Sequence, residues 1–480
     1  IIRDNGDGSF RHSSSFASAT AVTLSQRTDA LVRGLDLVLE HHGVEQAVRD
    51  ALDFQFHAHL DTSDDEGVWL KRAKFALTYP LSKYLRNVLP PSPDVPFVPS
   101  GLLRVWMKPR FNAFNRKNTH LWYSWLQAKR STLPASDDIV DATYEKHFAT
   151  LTQRDTGDDV IIDGIMRDPT FLRLLNLIKR RITDDLKDRS PFETYSASNS
   201  ASFEQTRGSG GQFYQLLSLG GLTDRLASSE LHSMKLSPVV YSRSGIHYNV
   251  ISEIRCAYGE LEWNSLTTHS NSLDLKSPTK CTIQAVLEPM KVRVISKGES
   301  LPYYTCRPLQ KALHTSMRDL DCFRLIGRPF SPTDMMDLKE SALPTDNWFS
   351  VDYSAATDGL SWKFSGKIFR HLIGDLPQRQ QDLAISVLGP HALHYPVRGG
   401  REVVFKGVQQ NGQLMGSILS FPILCLANLG VYLFTTQNTQ RGWSDRRRLR
   451  HVLINGDDMV YAADPSLWDL HINIAARVGL

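Results

Sequence analysis

Apolar residues recur at helical spacing over residues 29–52, where Leu31, Leu35, Leu37, Val38, Val44, Val48 and Leu52 predict an amphipathic helix. Residues 172–186 predict another, and the first ninety residues read as helical. The pattern changes after about residue 280. Short apolar runs at residues 292–295, 348–351, 451–454 and 459–462 read as strands and alternate with helix-like stretches. This predicts an α+β fold with acidic residues at strand ends. Residues 418–434 form the longest apolar run, interrupted by Ser420, Pro422, Asn428 and Gly430. A membrane-spanning helix needs about 20 mostly apolar residues, so the run predicts a buried core helix and no transmembrane segment.

Breaks in the pattern suggest the organisation. Pro90, Pro91, Pro93, Pro96 and Pro99 interrupt any regular element and mark either a boundary or a stiff surface arm. Residues 190–211 are rich in Ser and Gly and read as a flexible loop. A chain of 480 residues has room for several domains or one multi-lobed enzyme. Its net charge of +4 is small, so the distribution of charge carries the information. The five cysteines, at 256, 281, 306, 322 and 425, are odd in number and form no C-x-x-C. They support neither a disulfide framework nor a cysteine zinc site and fit a reducing, cytosolic setting. The polar start Ile1-Ile2-Arg3 carries no signal peptide and no initiating Met, which predicts an incomplete or processed N-terminus.

Residues 104–130 hold seven basic side chains (Arg104, Lys108, Arg110, Arg116, Lys117, Lys129, Arg130) and no acid, interleaved with Trp106, Trp122, Tyr123 and Trp125. Cations pairing with phosphates beside rings that stack on bases suit single-stranded nucleic acid. A solvated basic face beside core tryptophans is the equal alternative. Arg441, Arg446, Arg447, Arg448 and Arg450 read as a solvated loop that could touch RNA. His57, His59, His391 and His394 lack the partners of a metal site.

Asp457 and Asp458 follow Asn455-Gly456 between two short apolar strands, the pattern of a β-hairpin with two carboxylates at its tip. Adjacent acids repel, and a divalent metal offsets that cost. A bare Gly-Asp-Asp occurs by chance in about one chain of this length in ten, so it needs company. Residues 348–351 form an apolar strand that ends at Asp352, with Asp358 further on. Two such strands side by side would gather three carboxylates at one sheet edge. That arrangement suits two Mg²⁺ ions about 3.5–4 Å apart in phosphoryl transfer. Oxygen ligands without His or Cys favour Mg²⁺ or Mn²⁺ over zinc. Between these strands, Asn411-Gly412-Gln413-Leu414-Met415-Gly416-Ser417 is a Gly-rich loop that leads into the apolar helix. Upstream, Lys291, Arg293 and Lys297 fall on one side of an alternating strand. They would repel unless an anion such as a triphosphate sat among them.

In order, these segments resemble motifs F, A, B and C of positive-strand RNA virus polymerases, most of all the ourmiavirus-like (botourmiavirus) group, related to narnaviruses and mitoviruses. The residues that carry the resemblance are Glu288-Pro289 through Gly298, Asp352-Tyr353-Ser354-Ala355-Ala356-Thr357-Asp358-Gly359-Leu360, Gly412 through Ser417 with Leu419-Ser420-Phe421-Pro422, and Asn455-Gly456-Asp457-Asp458. They span about residues 280–465. The Ser/Gly stretch at residues 196–211 also looks like motif G, where template enters.

The resemblance implies an RNA-dependent RNA polymerase that copies an RNA template from nucleoside triphosphates in the host cytoplasm. It implies a right-hand fold with fingers and palm present and the thumb largely missing. Residues 1–190 would be a helical N-terminal region, residues 191–345 fingers, and residues 346–480 a palm interleaved with fingers. Asp352, Asp457 and Asp458 would be catalytic and bind metal. Lys291, Arg293 and Lys297 would hold the triphosphate, and Asp358, with Ser420 and Asn428, would read the ribose. Gly412, Gly416 and Ser417 would form the loop that moves with template. Two features depart from picornavirus-type enzymes: five residues separate Asp352 from Asp358, and Leu424 stands where those enzymes carry Asn. Residues 468–480 look like the start of motif D, so the expectation is a piece of a longer replicase. A reverse transcriptase and a non-catalytic RNA-binding replication factor are the alternatives.

Overall fold

Residues 22–87, 89–188, 198–219, 273–398 and 402–480 are described by the computed structural model, and Cys256 and the first part of the motif G stretch lie outside them. The helix predicted over residues 29–52 is two helices, Leu24–His41 and Gln46–Leu60, with a turn at Gly43 between them. Thr23 and Gln26 close a capping box at the first N-terminus, and the Gly43 amide reaches back to the Glu40 carbonyl. Helical periodicity continues through such a turn when the next helix buries the same side, so the pattern hides the break.

Two compact units divide the chain. The first comprises residues 1–143 and 285–293. Its helices Glu66–Tyr84, Gly101–Asn112 and Arg116–Gln127 join the two above around a core of Phe56, Trp69, Tyr84, Trp122 and Trp125. The indole N–H of Trp125 donates to the Ala76 carbonyl and that of Trp69 to the Thr28 hydroxyl, which satisfies both polar edges inside the core. Trp122 and Trp125 are therefore core residues, and the stacking role weighed for them is overturned; Tyr123 is exposed. The proline-rich stretch is no boundary, because it lies within this unit. Its Phe97 packs on Phe56 with ring centroids 4.6 Å apart, and Asp94 pairs with Arg72.

The second unit comprises residues 144–284 and 294–480. It is mixed helix and strand, as the pattern predicts. One sheet has the order β2-β1-β4-β5, from β1 (Thr279–Glu288), β2 (Lys291–Gly298), β4 (His391–Pro396) and β5 (Val403–Val408). The other has the order β3-β7-β6, from β3 (Asn347–Val351), β6 (Val452–Asn455) and β7 (Asp458–Ala463), all antiparallel.

The apolar run becomes the helix Ser420–Thr436, buried on nearly every face by Asp159–Met166, Pro169–Asp188, Trp362–Ile373 and Leu467–Arg477. Among the described residues no helix is long and apolar enough to cross a membrane. Arg448 is drawn inside to pair with buried Asp168 at 3.3 Å and to donate to the Leu433 carbonyl, while Arg450 pairs with Asp337. At these two positions the arginine-rich stretch is scaffold.

Candidate active site

The register of the three-stranded sheet builds the site. Val351 of β3 pairs with Met459 of β7, so the next step along each strand sets Asp352 beside Asp458. Asn455 of β6 pairs with Asp458 of β7, which leaves Gly456 and Asp457 as a two-residue hairpin turn. Gly456 takes φ 74°, a left-handed conformation that L side chains resist. Antiparallel pairing thus brings the end of one strand and the start of another to a single edge that carries three carboxylates. Phe349 and Tyr461, with centroids 4.9 Å apart, pack the buried face behind it.

The charges at this edge feel one another. Burial, then the fields of Asp457 and Asp352, push the Asp458 carboxyl above the usual carboxylate range. Among the described residues no group of three His, Cys, Asp or Glu side chains is drawn close enough to hold a metal ion. The donors nevertheless fit a hard cation: they are oxygen only, and their mutual repulsion is what a divalent ion would offset.

The turn is fastened from beneath by one face of the helix Ser420–Thr436. Phe421, Cys425 and Asn428 stand four and three residues apart and so share that face. The Gly456 amide donates to Cys425 Sγ at 3.2 Å. Asn428 Nδ2 donates to the carbonyls of Gly456 and Asp457, each at 3.2 Å, and its Oδ1 accepts from the Tyr353 hydroxyl at 3.3 Å. Tyr353 also bonds His471 Nε2, and His471 Nδ1 bonds the Tyr461 hydroxyl, both at 2.9 Å. Asn428 is completely buried. Both ends of its amide are thus engaged in holding the turn.

Asp358 stands apart from the carboxylate edge. It is half-buried, 3.8 Å from His147 Nε2, and His147 Nδ1 bonds the Tyr395 hydroxyl at 2.7 Å. Burial pushes Asp358 up to about 6 and His147 down to about 4. The glycine loop lies directly on this segment. The Gln413 backbone N–H donates to the Thr357 carbonyl at 2.7 Å, and a Cβ at Gly412 would stand 2.2 Å from the Asp358 carbonyl oxygen. A Cβ at Gly416 would stand 2.1 Å from the carbonyl oxygen of Ser296 in β2. Both glycines are required by close backbone approach.

The Ser417 hydroxyl donates to the Val387 carbonyl, which makes it a brace for the loop. Ser420 Oγ and both side-chain amide atoms of Gln413 are buried without a hydrogen-bond partner among the described residues. On β2, Lys291, Arg293 and Lys297 keep the same parity; Arg293 pairs with Glu288 at 2.8 Å, and burial lowers Lys297. His391 is buried against Gln409 and the Tyr303 hydroxyl, so it is a core histidine. Sequence reasoning missed the parts played by His147, Cys425, Tyr353 and His471. For His147 no local signal exists, since its partners Asp358 and Tyr395 lie over two hundred positions away, and His471 joins Tyr461 ten positions upstream to Tyr353 over a hundred positions away.

No protein-family model matches the chain. The crystal structure of the RNA-dependent RNA polymerase of a human picorbirnavirus is similar at a TM-score of 0.33 and 15% identity, over 42% of this chain and 39% of that one. A curated relative spans more of the chain, although the chain covers only 39% of that relative's length. Over an alignment of 370 residues that covers 70% of the chain, it is 28% identical to the RNA-dependent RNA polymerase of Ourmia melon virus (isolate Melon/Iran/VE9).

Proposed function

We propose that this chain carries the carboxylate half of a viral RNA-dependent RNA polymerase site and takes part in template-directed RNA synthesis. The observation that carries the reading is the β3–β7 register, which sets Asp352 beside Asp458 at the edge occupied by the Gly456-Asp457 turn. The similarity to a viral polymerase over 70% of the chain supports it. The finer assignment is a right-hand fold in which the second unit supplies the palm. Its site of action is the host cytoplasm, and the buried free thiols of Cys281, Cys306, Cys322 and Cys425 suit a reducing compartment.

In this reading Asp352 and Asp457, assisted by Asp458, hold divalent metal, Mg²⁺ or Mn²⁺. Bound there, the metal would lower the charge on the reacting phosphate and favour attack by the primer 3′-oxygen with loss of pyrophosphate. The remaining work is positioning. Lys291 and Arg293, with Lys297, hold the incoming triphosphate as the motif resemblance implies. Asp358 accepts from the ribose 2′-hydroxyl, and the unpartnered Ser420 hydroxyl is available to the same sugar. Gly412 and Gly416 keep the loop backbone against Asp358 and Ser296, while Ser417 braces it.

The test is primer extension on an RNA template by the complete gene product that contains this chain, with ribonucleotides and Mg²⁺. Asp352→Ala and Asp457→Ala are expected to abolish extension while RNA binding persists. Wild-type synthesis by either variant would overturn the assignment, and preferential use of deoxyribonucleotides would point to a reverse transcriptase.

A further inference from the structure

The first unit contains a cleft of about 520 Å³ that the polymerase motifs explain only on the wall formed by Glu288 to Arg293; its helical wall has no assigned part. Three elements form it: the helix Glu66–Tyr84, the turn Ala128–Ser131 that follows Arg116–Gln127, and the tip of the β1–β2 hairpin. Its cations are Lys74, Lys129, Arg130, Lys291 and Arg293; its acid, Glu288, is engaged with Arg293. Among the described residues no carboxylate lies within ion-pair distance of Lys74, Lys129, Arg130 or Lys291. Lys74 is open to solvent at its rim, yet the surrounding walls and then the Lys291 charge lower its pKa.

The arrangement is built. Met290, at the hairpin tip, is buried in the helical core even though its φ is 62°. That anchor fixes Lys291 beside the helices. The acid-free basic stretch read from the sequence ends here, at Lys129 and Arg130. Four cations converging without a counter-charge raise the local potential, which an anion would relieve. The half-buried Leu126 and the exposed Pro289 add apolar wall between them, a surface that suits sugar and base better than a bare triphosphate.

We propose that this cleft binds the phosphate backbone of single-stranded RNA, with Lys74, Lys129 and Arg130 as contacts contributed by the helical unit. The inference goes beyond the polymerase reading and does not depend on catalysis.

The test is fluorescence anisotropy of a labelled single-stranded RNA oligomer with the full chain, without nucleotide or metal, across a salt series. Each phosphate contact on a single strand contributes about 0.7 to the slope of log K against log salt. Lys74→Gln combined with Lys129→Gln and Arg130→Gln is expected to lower the slope by about 2 and the affinity at 0.1 M salt by about 100-fold. Lys129→Gln with Arg130→Gln alone should lower the slope by about 1.4. Lys129→Arg with Arg130→Lys should bind as wild type, and melting curves would check that each variant is folded.

An unchanged slope in the folded variants would overturn the proposal. So would ribonucleoside triphosphate binding that Lys129→Gln with Arg130→Gln weakens as much as it weakens RNA binding, which would make the helical wall part of a nucleotide site. Equal competition by poly-glutamate would make it an acidic-protein site. The measurement uses neither nucleotide nor metal, so failure of the catalytic reading and failure of this one are separable.

Discussion

The side-chain amide of Asn428 donates to the backbone carbonyl of Asp457 at 3.2 Å, so a core helix holds the carboxylate-bearing turn by its main chain. The same amide holds the Gly456 carbonyl and accepts from Tyr353, whose neighbour in sequence is Asp352. Asn428→Leu keeps the volume and removes every one of these bonds. Each buried polar group left unpaired costs about 1–3 kcal/mol. The expected outcome is a lowered Tm in thermal melts. RNA synthesis by the complete gene product should fall further than the fraction unfolded explains, because the Asp457 backbone is no longer fixed.

Gly412 and Gly442 provide a matched pair. Both take positive φ, 74° and 82°, but a Cβ at Gly442 meets nothing within 4 Å, whereas one at Gly412 meets the Asp358 carbonyl oxygen at 2.2 Å. Gly442→Ala should cost about 1–2 kcal/mol from its backbone conformation alone. Gly412→Ala adds a clash with backbone that cannot swing aside, and the displaced segment bears Asp358. Denaturant unfolding should show Gly412→Ala as the more destabilised of the two, and equal values would contradict the close approach.

Much of this was legible in the sequence, and the limits have physical causes. The strands around Asp352 and Asp457 were readable because their apolar runs are short and one is closed by Asn-Gly, a local turn signal. The carboxylate edge followed from two such strands. The break at Gly43 was not readable, since both helices bury the same side and the periodicity runs through the turn. Trp122 and Trp125 could have faced base or core from spacing alone; burial decided. Asn428, a polar residue in an apolar helix, signals a partner but not which one. Its partners are main-chain carbonyls 28 and 29 positions away.

Acid should destabilise the second unit. Burial holds His147, His391 and His471 at about 4, below the ordinary 6.5. Between those values the unfolded chain binds more protons, so their contribution to stability is present above 6.5 and is lost as pH falls towards 4. Asp358 works in the opposite sense. Raised from 3.8 to about 6, it contributes stability at low pH that is lost as pH rises through 6. Three groups outweigh one, so Tm should fall on acidification from pH 6.5. Asp358→Asn removes the opposing contribution. It should steepen that fall and raise Tm at pH 7 and above.

Met290 reverses the usual ranking of Ala over Gly. The residue is buried at the Pro289-Met290 turn with φ 62°, so a hydrophobic anchor holds a backbone conformation that L side chains resist. Removing the side chain costs about 2–5 kcal/mol as a buried Met→Ala change. Ala keeps the unfavourable φ, whereas Gly relieves about 1–2 kcal/mol of it at some cost in chain entropy. Met290→Leu keeps the volume and should cost less than about 1.5 kcal/mol. Denaturant unfolding is therefore expected to order the variants Leu, Gly, Ala from least to most destabilised. Because the anchor sets Lys291 beside Lys74, the Ala variant should also bind single-stranded RNA less tightly than the Leu variant under conditions where both remain folded.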